Sequence, residues 1–306
     1  MASSLMLGIL ESEHNLVGVL RWEKAKNNRF LYFFKNIFWP DKLTTLIRSY
    51  KIHEIDVKYA NSEKFKKQAL KLKPDVIIVG SWGEIFKKDV IMLPTMAFIN
   101  CHPSLLPKYR GSNPYSSAIM AGETKTGITF HLVNEGIDTG SMLLQKEVSI
   151  ADDDNAETLR TKCSYKAREA VIELLNELDT TTIIPVSQDE KKASYYPQIT
   201  DKDARIDWKK SPRDIHNQIR GLNPWMECYT IYKSDFLMIK SSKIVNLDKP
   251  EPKPAKILAK TKNSLLISTI DPNKAILIEK LNVYGYLNKL WSGFYIRNIK
   301  IGSFLK

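Results

Sequence analysis

Three polar side chains have the types needed to transfer an acyl group to an amine. Asn100 and His102 lie in the segment 100–111, and Asp138 follows in 135–140. Side chains two apart on a strand point to the same side, so Asn100 and His102 can face one reacting centre. The Asn100 amide can donate to a developing oxyanion. His102, oriented by Asp138, can accept or relay the amine proton or, when protonated, donate to the oxyanion. This chemistry requires no metal.

Two neighbours of these residues allow more than one interpretation. Arg110 can contact an anionic acceptor or pair with a carboxylate at the base of its loop, and the sequence leaves both roles open. Cys101 lies between Asn100 and His102, but on a strand its side chain points to the opposite side, which makes it a poor candidate nucleophile. The other histidines receive no role: His14, His53, His131 and His216.

The elements that must position these side chains alternate between helices and strands. Apolar periodicity predicts helices at 5–10, 58–72, 116–121 and 155–178, and strands at 16–20, 76–79, 96–101 and 127–133. This alternation is typical of a parallel sheet, in which ligands bind beyond the carboxyl ends of the strands. We therefore expect three polar loops to meet at one crevice: 80–83, 100–111 and 134–140.

The second part of the chain has a different pattern. Segment 180–210 is polar and contains Pro185 and Pro197, as expected of a linker. From Cys228 onward, short β-rich runs separated by turns predict a small β barrel. We expect a catalytic α/β domain at 1–190, a linker at 191–210 and a second domain at 211–306.

The composition favours an anionic partner. Lys and Arg outnumber Asp and Glu by 46 to 34, the net charge is +12 and the pI is about 9.3. An A+T-rich genome is the other explanation of such lysine-rich sequences. Three scattered cysteines fit neither a disulfide scaffold nor a paired metal site, which indicates a reducing cytoplasm. No apolar run approaches the roughly 18 residues that cross a bilayer, and no signal-peptide leader is apparent.

The motifs resemble those of the folate-dependent formyltransferase family. The resemblance rests on the Asn100-Cys101-His102 segment, on Ser104-Leu105-Leu106-Pro107 followed by Tyr109-Arg110-Gly111, and on Asp138-Thr139-Gly140. It continues through Gln188-Asp189-Glu190, Ile206-Asp207-Trp208 and Ile219-Arg220-Gly221-Leu222-Asn223-Pro224-Trp225, and so covers most of the chain.

This resemblance implies a Rossmann-like catalytic domain, a C-terminal barrel similar to an OB fold and a 10-formyltetrahydrofolate donor. It implies catalytic roles for Asn100, His102 and Asp138. The folate is expected to lie against two loops, which are Ser81, Trp82, Gly83, Glu84, Ile85 and Phe86, and Ser104, Leu105, Leu106 and Pro107.

The acceptor has two candidates within the family. Members of this size formylate either methionyl initiator tRNA or nucleotide-linked amino sugars. The segment 219–225 and the basic charge favour tRNA, with Arg29, Lys35 and Arg110 as candidate acceptor contacts. The basic, aromatic segment 21–35 can contact an acceptor stem or stack on unpaired bases, and it is equally well explained as a surface loop with a hydrophobic anchor. No feature indicates a protein partner.

Two features depart from the family pattern. The family usually opens with a strand and a glycine-containing loop, whereas this sequence opens at the helix that follows. That strand is central in a doubly wound sheet, so we expect its neighbours to have an unpaired edge. Either the coding sequence starts further upstream or the protein is impaired, which makes a catalytically inactive RNA-binding relative a third hypothesis. Met226 and Glu227 also replace the usual Pro-Gly, which affects a turn rather than the chemistry.

Overall fold

The computed structural model describes residues 1–22, 41–180, 183–284 and 289–306, with the backbone alone at 289–291. The chain forms two compact units. The first contains Met1–Gly111, Thr126–Val148 and Arg160–Tyr195. The second contains Ser112–Lys125, Ser149–Leu159 and Tyr196–Lys306. Residues 191–195 of the expected linker thus belong to the first unit and 196–210 to the second.

The first unit is built on a mixed sheet whose described strands have the order β1 (Val76–Val79), β2 (Ala97–His102), β4 (Lys125–Leu132), β5 (Met142–Ser149). The short β3 (Arg110–Gly111) lies outside this sheet. β1 and β2 are parallel, as expected, and Val79 pairs with Asn100. The apolar β-branched residues of β1 and the apolar residues of β2 favour this pairing.

The expectation of an all-parallel sheet is wrong at β4. This strand runs antiparallel to β2, with Asn100 opposite His131 and His102 opposite Thr129. The connection from β2 to β4 contains only β3 and the seven-residue helix α5 (Pro114–Met120), and it returns the chain in the opposite direction. Segment 134–140 therefore forms the turn between β4 and β5. Asp138 in this turn contacts Asn100 and His102 of β2.

The helices differ from the predicted bounds in local detail. Their bounds are α1 (Ala2–Glu11), α2 (Lys42–Ser49), α3 (Glu63–Leu72), α4 (Lys88–Ile91) and α6 (Ala156–Asp179). α3 begins later than predicted because the Ser62 hydroxyl accepts from the backbone N–H of Phe65 and so caps the helix. The predicted strand 16–20 forms a single parallel bridge, from Val19 to Glu54, rather than a regular strand.

A cavity of about 1070 Å³ lies alongside β1. Its lining includes residues of α1, of segment 16–20 and of β1. Within the described part of the chain, β1 pairs with β2 on one edge and with no strand on the other. β1, whose second edge is expected to be unpaired, thus forms part of the wall of this cavity.

The second unit contains a five-stranded antiparallel sheet. Its strands are β7 (Cys228–Tyr232), β8 (Asp235–Asn246), β9 (Ile257–Lys260), β10 (Leu265–Ser268) and β11 (Lys274–Val283). Their order in the sheet is β7-β8-β11-β10-β9. Alternating apolar residues such as Leu237, Ile239 and Ile276 are fully buried in its core. This architecture agrees with the predicted small barrel-like domain.

The remaining elements complete the chain. Short 3-10 helices span Glu190–Lys192 and Asp201–Ala204, and β6 is Tyr195–Tyr196. α7 (Pro212–Leu222) is capped by Ser211 and contacts α5 and β8, and α8 is Lys289–Asn298. Across the described ranges, no helix has the length and apolar character needed to span a membrane.

Candidate active site

β2 and the turn after β4 bring the three predicted catalytic residues together. The Asn100 amide nitrogen lies 3.2 Å from Asp138 Oδ1. His102 Nδ1 lies 3.4 Å from Asp138 Oδ2, which also accepts a hydrogen bond of 2.9 Å from the backbone N–H of Gly111. The Asp138 carboxylate thus joins both side chains of the Asn-x-His pair.

The orientation of the His102 ring follows from its second nitrogen. Nε2 lies 2.8 Å from the carbonyl oxygen of Tyr109, and because a carbonyl oxygen only accepts, Nε2 carries the proton. In the neutral ring, Nδ1 then has the free lone pair and faces Asp138. His102 Nδ1 is therefore the atom able to take up a proton, and the adjacent carboxylate would stabilise the resulting charge.

Burial and neighbouring charges act in opposite directions on these groups. Burial lowers the pKa of His102, and the negative charge of Asp138 and the carbonyl of Tyr109 partly counteract that effect. Burial alone would raise the pKa of Asp138, but contacts with His131 and His102 and the N–H of Gly111 lower that pKa to about 2. At neutral pH, the site thus pairs an ionised carboxylate with a neutral imidazole.

Close packing fixes the turn that contains Asp138. The backbone N–H of Leu132 donates to the carbonyl of Ser141 at 2.9 Å. A Cβ on Gly140 would lie 1.7 Å from the carbonyl oxygen of Leu132, so this position accepts only glycine without movement of the turn. Asp138 itself has a φ of 54°, in the left-handed region. The glycine of the Asp-x-Gly motif is therefore explained by a close backbone approach.

His131, to which sequence analysis gave no role, is part of this group. Its Nε2 lies 3.1 Å from Asn100 Nδ2 and 3.5 Å from Asp138 Oδ1. Its Nδ1 lies 2.9 Å from the carbonyl oxygen of Leu132. The pairing of Asn100 with His131 across β2 and β4 explains this position. A histidine in an otherwise apolar strand indicated a special role, but that role could be assigned only once the register of β2 and β4 was known.

The predicted folate loop 104–107 is held against β4. The Thr129 hydroxyl donates to the carbonyl of Ser104 at 2.7 Å and accepts from the backbone N–H of Leu106 at 3.2 Å. The Gln145 amide donates to the carbonyl of Leu106 at 3.0 Å. These bonds fix the loop two residues beyond His102.

The predicted folate loop 81–86 begins two residues after Val79, the last residue of β1, which pairs with Asn100. Trp82 packs between the rings of Trp22 and Phe86, at centroid distances of 5.0 and 6.0 Å. The Glu84 carboxylate accepts from the Trp82 indole N–H at 3.1 Å, and Ile85 is 63% exposed. The loop thus has a fixed aromatic base and an exposed apolar side chain.

The three predicted acceptor contacts have different outcomes. Arg110 is buried and pairs with Glu190 at 2.7 Å, and its guanidinium also donates to the Gln188 side chain. This geometry fits the second interpretation offered for Arg110, a pairing at the base of the loop. Arg29 and Lys35 lie outside the described residues, as does most of segment 21–35.

The other reactive groups near the site have no evident chemical role. Cys101 is buried, and burial raises the pKa of its thiol, which agrees with the prediction of a poor nucleophile. In the ranges that the structure covers, no three His, Cys, Asp or Glu side chains are grouped so that they could hold a metal ion.

Comparison with known proteins identifies the family. The formyl transferase model matches residues 21–175, and the model of the formyl transferase C-terminal domain matches 198–285. The methionyl-tRNA formyltransferase of Caldanaerobacter subterraneus subsp. tengcongensis is 39% identical over 85% of this chain and 82% of its own length. The enzyme of that name from Staphylococcus aureus is 30% identical over 98% of this chain and 95% of its own length.

A solved structure supports the same fold. The N-formyltransferase from Helicobacter canadensis, crystallised with folinic acid and dTDP-3-aminofucose, is 22% identical to this chain, with a TM-score of 0.70. The match covers 91% of this chain and 95% of that one. With the two matching domain models, the extended similarity to the two curated enzymes and the Asn100, His102 and Asp138 group, the chain belongs to the formyl transferase family.

Proposed function

We propose that this protein transfers the formyl group of 10-formyltetrahydrofolate to the amino group of methionyl initiator tRNA. The observation that carries the chemistry is the grouping of Asn100, His102 and Asp138, in which an amide donor and a neutral imidazole share one carboxylate. The acceptor is supported by two relatives named methionyl-tRNA formyltransferase that are 39% and 30% identical over most of the chain.

In this reaction the amine lone pair attacks the formyl carbon and forms a tetrahedral intermediate. The Asn100 amide stabilises the oxyanion by turning a hydrogen bond toward it. The bond between the formyl carbon and the folate nitrogen then breaks, the amine loses one proton and the folate nitrogen gains one. His102 Nδ1 takes up the amine proton, and the adjacent Asp138 charge stabilises the imidazolium until the proton is passed on.

The folate donor lies against the loops 81–86 and 104–107. The first loop follows β1, which pairs with β2, and the second follows β2, the strand that presents the Asn-x-His pair. The first loop has an exposed apolar residue, Ile85, and the packed rings of Trp82 and Phe86. The folinic acid in the related fold from Helicobacter canadensis supports a folate donor. Apolar and aromatic side chains with a few placed polar groups are typical of sites that bind a flat heteroaromatic ring.

The test is a formylation assay with several acceptors. Purified protein is incubated with 10-formyltetrahydrofolate and with methionyl initiator tRNA, methionyl elongator tRNA, free methionine or a panel of nucleotide-linked amino sugars. Labelled formyl product is followed with time. We expect rapid formylation of the initiator tRNA and little product from the other acceptors.

The alternative outcomes are distinct. Formylation of an amino sugar without formylation of the tRNA would overturn the proposed acceptor and retain the chemistry. RNA binding with no formylated product from any acceptor would favour the inactive RNA-binding relative. A mixed result is resolved by kcat/KM, because the true acceptor is the one with the highest value of that ratio.

A further inference from the structure

Gln188 connects the segment after α6 to the turn that contains Asp138. Its side-chain nitrogen donates to two backbone carbonyls, that of Asp138 at 2.8 Å and that of Gly140 at 2.7 Å. These carbonyls belong to the first and last residues of the Asp-x-Gly motif. The Gln188 amide group thus fixes the backbone on both sides of Thr139, next to the proposed catalytic carboxylate of Asp138.

Arg110 determines which way the Gln188 amide points. The Gln188 side-chain oxygen accepts from Arg110 Nε at 3.1 Å and from Nη2 at 2.9 Å. Because arginine only donates and the two carbonyls only accept, the oxygen must face Arg110 and the nitrogen must face the turn. The Arg110 side chain is only 8% exposed, so water competes little for these bonds.

The turn needs such support because its conformation is unfavourable for the residue it carries. Asp138 has a φ of 54°, and a non-glycine residue persists in that region only where its surroundings hold it there. The backbone N–H of Gly111, next to Arg110 in the chain, holds the Asp138 carboxylate at 2.9 Å. Adjacent residues of β3 thus hold Asp138 twice, once directly and once through Gln188.

We propose that Gln188, oriented by Arg110, is a positioning residue that places the Asp138 carboxylate against Asn100 and His102. This inference rests on the proposed function of the site. It gives Gln188 a role in catalysis that acts through the backbone around Asp138 rather than through contact with the substrate. It also assigns Arg110 to the support of the turn rather than to the tRNA.

The test compares Gln188→Met with a matched control, Glu190→Gln. Methionine keeps the length and approximate volume of the side chain but removes both donors to the turn. Glu190→Gln removes the exposed charge paired with Arg110 and leaves the Gln188 bonds in place. We expect kcat to fall about thirtyfold or more in Gln188→Met, with KM for the acceptor little changed, because misplacement of a catalytic group acts on the chemical step. The control should stay within about twofold of the parent protein.

A second variant separates the two roles of Arg110. Arg110→Lys keeps the charge but cannot form the same paired bonds to Gln188. A lower kcat with an unchanged acceptor KM is expected. A higher acceptor KM with an unchanged kcat would overturn the proposal, because it would make Arg110 an acceptor contact.

A readout without substrate separates this proposal from the formylation function. NMR titration of the Asp138 carboxyl, assigned by its loss in Asp138→Asn, should give a pKa that rises in Gln188→Met as the carboxylate leaves its partners, and remains unchanged in Glu190→Gln. An unchanged Asp138 titration in folded Gln188→Met would overturn the positioning role whatever the parent enzyme formylates. If Gln188→Met does not fold, Gln188→Leu, which also removes both donors to the turn and adds no charge, replaces it with the same expected rise, and an unchanged titration there counts equally against the proposal.

Discussion

At the scale of single residues, one feature of the site is that the Asn100 amide already has partners. Its nitrogen lies within 3.2 Å of both His131 Nε2 and Asp138 Oδ1, so stabilisation of an oxyanion means exchanging one of these bonds. The Asn100 amide has two N–H groups, so one can turn to a substrate oxygen while the other keeps a protein partner.

Removal of either member of the Asn-x-His pair should act on the transition state. We expect Asn100→Ala and His102→Ala each to reduce kcat/KM for formyl transfer by about a hundredfold or more. The melting temperature should change little for Asn100→Ala, because Asn100 is only partly buried. Steady-state kinetics and thermal denaturation of the two variants test this, and near-parental activity in both would show that the site is elsewhere.

Replacement of the carboxylate should shift the pH dependence of the reaction. The charge of Asp138 raises the pKa of His102 against the lowering caused by burial. In Asp138→Asn that support is lost, so the pKa of His102 falls further. Because the base must be neutral to accept a proton, activity is lost as pH drops through this pKa, and the acidic limb of the kcat profile should move to lower pH.

Asp138→Asn should change both the size of kcat and its dependence on pH. We also expect kcat to fall, because the imidazolium is no longer stabilised. Asparagine retains the approximate shape of the side chain, so a change in the profile reports the charge rather than the packing. An acidic limb at the same pH as in the parent enzyme would contradict the pairing of Asp138 with His102.

At the scale of secondary-structure elements, the turn between β4 and β5 limits what the site tolerates. A methyl group at position 140 would lie 1.7 Å from the carbonyl oxygen of Leu132 and would force the turn to move. We expect Gly140→Ala to reduce kcat about a hundredfold through displacement of Asp138, with the protein still folded. Gly293→Ala is a suitable control, because its added methyl would meet only the flexible Lys262 side chain and Asn263 at 3.3 Å or more. Equal activity of the two variants would contradict the argument.

Some features of these elements could be predicted from the sequence alone, and others could not. The apolar run Val76–Val79 predicted β1 without error, and the spacing of Asn100 and His102 predicted their shared face. The direction of β4 was predicted wrongly, because a local hydrophobic pattern contains no information on which way a connection returns. His131 was missed for the same reason, since its role depends on pairing with Asn100 across two strands.

At the scale of the whole molecule, the net charge of +12 bears on the acceptor. In the described part of the second unit, a concave surface is lined by Lys233, Lys260, Arg297 and Lys300, with no acidic residue in its lining. A tRNA offers many phosphates to such surfaces, whereas a sugar nucleotide offers two in a local pocket. The dependence of acceptor binding on salt therefore distinguishes the two candidate substrates.

We expect the affinity for methionyl initiator tRNA to fall steeply with salt, with a log–log slope of several units, because each neutralised phosphate releases counterions. Charge reversal at Arg29 and Lys35 should lower tRNA affinity and reduce this slope, with folate affinity unchanged. The Arg297→Glu and Lys300→Glu pair gives a comparison on the second unit. Filter binding of tRNA across a range of salt concentrations, with folate binding measured by fluorescence, tests both pairs. A shallow slope, or a parental slope in both double variants, would contradict a phosphate-dominated interaction and would favour the nucleotide-linked amino sugar as acceptor.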